Sequence, residues 1–307
     1  MAFTAADVKK LREKTGCGMM DCKKALTDAN GDMEQATVFL REKGLAKAAK
    51  KAGRIAAEGA VVIYNNKEKN ITTMIEVNAE TDFVAKNQKF QDFATLCAKT
   101  VTEQNPVDVD ALMNCVPTGE TLTIDGLLKD LILVIGENMK IRRFASFEGT
   151  TVSYIHGNGR IGVMVKCDVS DDVAANAEFV DAVKDVAMQI AALNVPYLCK
   201  ETVPAEAIDR EKEIIIAQIK NDPKSANKPE NILAKMADGR INKFYKENCL
   251  MNQEFVKDSS MTVEQYIDSV AKKIGGDIKI VDYVRFEKGE GLEKREDNFA
   301  DEVASMM

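Results

Sequence analysis

Apolar residues recur at helical spacing three times within the first 43 residues. Val8 and Leu11 share one face of a stretch from Ala5 to Lys14, the run Thr15-Gly16-Cys17-Gly18 interrupts it, and Met20 to Ala29 resumes it. After a turn at Asn30-Gly31, the segment Asp32 to Glu42 carries Met33, Ala36, Val38, Phe39 and Leu40. Three short helices are predicted. A module of about 40 residues buries little apolar surface, so it is marginal alone or supported by a partner. Gly44 to Gly53, with Lys47, Lys50 and Lys51 set among alanines, reads as a basic linker of helical character.

Beyond residue 55 the pattern changes. Glu58-Gly59 opens a strand-like segment that includes Tyr64, a second strand runs from Ile71 to Val77, and a helix begins near Asp82. About ninety residues later the pattern recurs, with Glu148-Gly149, Tyr154, a strand from Ile161 to Lys166 and a helix near Asp171. Asp82-Phe83-Val84-Ala85-Lys86-Asn87 aligns with Asp171-Asp172-Val173-Ala174-Ala175-Asn176, and Phe90 with Phe179. Five positions are identical, which chance explains poorly. Two related subdomains follow, each an antiparallel sheet with helices packed on it, in an α+β rather than a doubly wound arrangement.

Between the copies, Gly126 to Lys140 reads as an apolar helix. After the second copy, Pro204 to Lys220 and Pro229 to Tyr245 are amphipathic, with Ile208, Ile215 and Ile219 striping one and Leu233, Met236, Ile241 and Phe244 the other. Joined by Asn221-Asp222-Pro223-Lys224, they predict an antiparallel helical hairpin that projects. A last strand is expected from Ile278 to Phe286 and a short terminal helix over Glu302 to Met307.

Composition narrows the function. The 307 residues suit about two domains, and 45% hydrophobic with 30% charged residues is the balance of a chain that folds. The longest aliphatic run, Leu131 to Ile135, is far short of the roughly 20 residues that span a bilayer. Met1-Ala2-Phe3-Thr4 has no basic segment followed by an apolar run, so no secretory signal is expected and a cytoplasmic location is. Seven scattered cysteines without C-x-x-C suggest reduced thiols, neither a disulfide framework nor a zinc ribbon. One histidine, His156, leaves no His cluster and no metal or cofactor motif, so no catalytic residue is expected. Of the net charge of −7, residues 1–55 hold 12 Lys and Arg against 7 Asp and Glu, so the module is basic and the body acidic. Such a module docks on an acidic protein face or on RNA; the acidic body favours the protein.

The candidate site is the strand-to-helix junction Thr81-Asp82-Phe83-Val84. Thr81 suits an N-cap and Asp82 complements the helix dipole. Phe83 has two readings. It heads an apolar stripe with Phe90, Ala94, Cys97 and Val101, which makes it core; or it is an exposed interface anchor, because the repeat places Asp172 at the same position. The repeat favours exposure. Elsewhere, Thr15 to Asp21 lacks phosphate-loop spacing and reads as a helix-helix turn, Lys23 and Lys24 as a solvated face, and Ile135-Gly136 as a helix end. His156, in Ile155-His156-Gly157-Asn158-Gly159-Arg160, is expected to be exposed without triad partners.

Thr15-Gly16-Cys17-Gly18-Met19-Met20-Asp21-Cys22-Lys23-Lys24-Ala25-Leu26 resembles the N-terminal signature of the elongation factor Ts family, and Thr81-Asp82-Phe83-Val84-Ala85-Lys86-Asn87 its second signature. The resemblance continues through Ile135-Gly136-Glu137-Asn138, His156 to Val163 and Arg285 to Gly291, covering nearly the whole chain. It implies a three-helix module like ubiquitin-associated (UBA) domains at 1–54, core subdomains at 55–147 and 148–288 with a helical insertion about 204–247, and a C-terminal module at 289–307. It implies a guanine nucleotide exchange factor for elongation factor Tu, binding both the GDP-bound and the nucleotide-free forms without direct contact to nucleic acid or membrane. The complex is a heterodimer or a 2:2 assembly. By the same resemblance Thr81, Asp82, Phe83 and Val84 press into the G domain of Tu and disturb its Mg²⁺ and phosphate site. Lys23 contacts the same domain, Ile135 and Gly136 its nucleotide-proximal helices, and His156 the third domain. The rivals are a ubiquitin-like or RNA-binding adaptor using the basic helices, and a thiol-redox enzyme. Against the first stand the acidic body, zero Trp and no interleaved basic and aromatic residues; against the second, the missing C-x-x-C.

Overall fold

A computed structural model describes residues 3–221 and 229–293. The described chain falls into two compact units of sheet and helices, the first of which includes three N-terminal helices: one unit gathers residues 3–147, 155–162 and 286–293, the other 148–154, 163–221 and 229–285.

In the first unit the three expected helices form as α1 (Ala5–Thr15), α2 (Met19–Asp28) and α3 (Met33–Lys51). Thr4 and Asp7 close a capping box on α1, and Asp32 caps α3 by accepting the backbone N–H groups of Glu34 and Gln35. The third helix corrects the sequence reading, because it does not stop at Glu42. The alanines and lysines of the supposed linker are strong helix formers and carry α3 on to Lys51.

This extension has work to do. Val8, Leu11, Cys22, Leu26, Ala36 and Leu40 form an apolar cluster completed by Leu133 of α7 (Ile124–Ile135), so α7 supplies the support that the small module lacks. Gly44 lets the helices approach: a Cβ there would meet the Leu133 side chain at 3.2 Å. Lys43 and Lys47, one turn apart on α3, reach Asp21 of α2 at 2.6 and 3.1 Å. The Lys43 hydrogen bond, then that of Lys47, holds the Asp21 carboxyl below the usual carboxylate value against a desolvation that pushes it up. A carboxyl lowered in the folded state contributes stability above its unfolded pKa and loses it as pH falls through the lowered value. Asp21→Asn should therefore cost about 0.5–1 kcal/mol at neutral pH and nothing in strong acid, as urea melts at both pH values would register.

The sheet of this unit has the order β1-β2-β3, from β1 (Glu58–Asn66), β2 (Ile71–Ala79) and β3 (Met139–Glu148), with β1 and β2 antiparallel. Between β2 and α7 lie α4 (Asp82–Ala85), α5 (Gln88–Gln104) and α6 (Val109–Asn114). The apolar helix ends at Ile135, not Lys140: Gly136 takes the left-handed conformation, φ 90°, that closes a helix, and the chain enters β3 three residues later. A buried carboxylate ties β2 to β3. Glu76, wholly shielded, accepts from Arg142 Nη1 at 3.0 Å, Arg143 Nε at 2.7 Å, Asn78 Nδ2 at 3.0 Å and the backbone N–H of Gly289 at 2.8 Å.

The second unit repeats the plan. β4 (Thr151–His156) and β5 (Ile161–Asp168) precede α8 (Asp171–Ala174) and α9 (Ala177–Leu193), and the sheet order is β4-β5-β8, with β8 spanning Lys279–Glu287. Helices α10 (Ala205–Asn221) and α11 (Glu230–Asn248) pack through Ile215, Ile219, Leu233, Ala237 and Ile241, flanked by Ile208, Met236 and Phe244, on the stripes read from the sequence. β6 (Glu254–Phe255), β7 (Asp258–Thr262) and α12 (Val263–Ile274) complete it. The Asp222-Pro223-Lys224 turn and the terminal helix expected over Glu302 to Met307 lie outside the described residues.

Candidate functional site

The repeated helix starts explain their five shared residues. In each copy a single turn, α4 or α8, is followed by an asparagine that stops it and caps the next helix. Asn87 accepts the backbone N–H of Lys89 at 3.0 Å, and Asn176 that of Glu178 at 2.9 Å. Val84 and Val173 point inward, and Phe90 and Phe179, in the first turns of the long helices α5 and α9, are completely buried. The single helix expected from Asp82 onward is therefore two, and Phe83 is not the head of the α5 stripe. Successive helical residues point about 100° apart, so seating Val84 in the core turns Phe83 outward. Phe83 is 79% exposed against 6% for Val84. Asp172 is likewise exposed at the matching place.

An exposed phenyl ring at a helix start is flanked here by charge. Asp82 pairs with Lys86 at 2.7 Å, and the same ammonium lies 5.9 Å from the centroid of the Phe83 ring. The hydrogen bond from Lys86 is the main cause that lowers the Asp82 carboxyl below its usual value, with Lys288 assisting at longer range. Both members of the pair are well exposed, so an incoming partner displaces this contact at little cost.

Thr81 occupies the N-cap position of α4 but makes no capping bond with its side chain. Its hydroxyl donates to Glu137 Oε1 at 2.8 Å and its backbone N–H to Glu137 Oε2 at 3.0 Å. Glu137 follows Gly136, so Thr81, Asp82 and Phe83 are joined to the end of α7, where Ile135 is half-buried against the core and Gly136 is exposed. The Gly136 carbonyl accepts a hydrogen bond from Lys51 Nζ of α3. The Val84 side chain lies in the core, and its seating places its neighbour Phe83 at the surface.

Lys23 and His156 stand on other elements, α2 and β4. Lys23 is exposed on α2, on which Met19 and Met20 also face solvent. His156 is exposed at the end of β4, and the turn after it is fixed by the Val61 backbone N–H donating to the Gly159 carbonyl at 2.8 Å. Sequence reasoning missed Glu80, Glu137 and Lys51, because polar residues beside a helix end carry no periodic signal. Among the described residues no group of three or more His, Cys, Asp or Glu could hold a metal ion, and no helix is long and apolar enough to cross a membrane.

The family model described as "Elongation factor TS" matches residues 80–290. Elongation factor Ts of Trichlorobacter lovleyi is 48% identical over 99% of this chain and 98% of its own length. Those of Clostridium botulinum (strain Alaska E43) and Clostridium perfringens (strain SM101) are each 49% identical, with 99% of both chains covered.

Proposed function

Since the chain belongs to the elongation factor Ts family, we propose that its exposed Phe83 is the lever by which it drives nucleotide from elongation factor Tu. The protein is a nucleotide exchange factor for Tu in translation elongation. Exchange makes and breaks no covalent bond, so it needs differential binding rather than a catalytic group. The factor must hold nucleotide-free Tu more tightly than Tu·GDP, and GDP then weakens its binding by the same factor.

The observation that carries this reading is a large apolar side chain held out in solvent by a buried neighbour, at a turn where the sister copy carries Asp172. In the proposed mechanism the ring enters the G domain of Tu, and Asp82 exchanges Lys86 for donors of the partner. Ile135 and Gly136 bear on the nucleotide-proximal helices, and the partner's Mg²⁺ and phosphate site loosens so that GDP leaves and GTP rebinds. Lys23, on a UBA-like module, contacts the G domain, and His156 the third domain. Contacts remote from the nucleotide keep the ternary complex together while the lever works. The parts 1–54, 55–147, 148–288 and 289–307 divide these tasks in the cytoplasm. An RNA-binding role for the basic helices finds less support, since Lys43 and Lys47 are committed to Asp21.

Stopped-flow release of a fluorescent GDP from Tu is the direct test. Substoichiometric protein should accelerate release catalytically and saturably; release at the spontaneous rate would end this reading.

A further inference from the structure

A lever transmits force only if its mount does not rotate, and α4 cannot hold itself. It has four residues and no side-chain capping bond, far below the length at which an isolated helix is stable. Val84 anchors it from beneath. The second anchor is a reciprocal pair of glutamates. Glu137 uses both carboxylate oxygens on Thr81, one for the backbone N–H and one for the hydroxyl. In the opposite direction Glu80 Oε1 accepts the backbone N–H of Asn138 at 2.6 Å. Each glutamate thus satisfies a backbone donor of the segment that carries the other. The lattice extends to the end of α3: Asn138 Nδ2 donates to the Arg54 carbonyl at 2.8 Å, and Arg54 Nη1 lies 3.4 Å from both Glu80 oxygens. The bonds accepted by the two carboxylates are charge-assisted, stronger than neutral ones, and rotating α4 breaks the two on Thr81 at once.

We propose that Glu137 is a positioning residue for nucleotide exchange: by clasping Thr81 it sets the direction in which Phe83 leaves the surface, and it acts on the reaction through that ring. The inference rests on the lever reading of Phe83. The test measures Tu-bound GDP release over a range of exchange-factor concentrations. It uses the full-length protein as wild type, Glu137→Ala, Glu137→Gln, Phe83→Ala and the double alanine variant, each with a thermal melt. Glu137→Ala should lower the maximal rate about tenfold, the scale of losing charge-assisted hydrogen bonds, with half-saturation shifted less than about threefold. Glu137→Gln, which keeps an acceptor for one Thr81 donor, should recover part of that rate. In the Phe83→Ala background the second substitution should add no further loss, because the group it positions is gone.

Losses that multiply in the double variant, or a loss confined to half-saturation, overturn the proposal. A slow Phe83→Ala beside a wild-type Glu137→Ala condemns the clasp alone, whereas a wild-type Phe83→Ala condemns the lever. Should Glu137→Ala melt early, Thr81→Val, which deletes only the hydroxyl donor, takes its place with an expected loss of about threefold and the same non-additivity.

Discussion

Phe83→Ala should slow stimulated GDP release by about thirtyfold or more, the kinetic equivalent of losing one interface anchor worth about 2 kcal/mol or above. Stability should barely move. Phe83 is 79% exposed, and Lys86, 5.9 Å from the ring centroid, is an exposed cation whose attraction to the ring is worth about 0.5–1 kcal/mol. Function and folding thus separate at this position, which they do not for a core aromatic such as Phe90. A stopped-flow trace and a urea melt on the same preparation check both halves. A variant that unfolds early yet exchanges normally would show the ring to be structural and the assignment mistaken.

Glu76→Ala should be strongly destabilising, at about 3–5 kcal/mol, because it removes the buried carboxylate on which four donors converge. Arg142 and Arg143 both lose the buried acceptor, as do Asn78 and the backbone of Gly289. Arg143 keeps a contact to Glu290 at 3.1 Å and its stacking over Phe286, 4.3 Å from the ring centroid, so part of the arrangement survives. Denaturant titration measures the loss; a change below about 1 kcal/mol would mean that water replaces the carboxylate easily and that the cluster is not a keystone. The substitution lies within β2, so a reduced exchange rate should follow the unfolded fraction and vanish at temperatures where the variant is folded.

What could be read from the sequence was whatever repeats. Helical spacing located α1, α2 and the paired stripes of α10 and α11, since burial of one face demands that period. The duplication of Val84, Asn87 and Phe90 as Val173, Asn176 and Phe179 marks two copies of one buried pattern, and the mismatch at Phe83 favours the outward ring that the fold presents. Boundaries were harder. Asn87 is both a stop and a start, and a periodicity argument runs straight through it; α3 overran its expected end because alanine and lysine continue a helix without an apolar stripe to reveal it. The clasp was invisible for another reason. Thr81 looks like a cap from its neighbours in the chain, but its hydroxyl is taken by Glu137, 56 residues away, and only the fold, which brings the turn after α7 to the end of β2, creates that choice.

The unbroken α3 has a bearing on affinity. Nineteen residues at about 1.5 Å each make a rod of roughly 28 Å, seated on α7 and reaching from the three-helix module to the Gly136 turn. If the proposed contacts hold, the surface around Lys23 and the phenyl ring meet the partner at a set spacing, like two pins of one plug. Engaging the first pin gives the second a high effective concentration at its socket, and little tether entropy is surrendered on the way in.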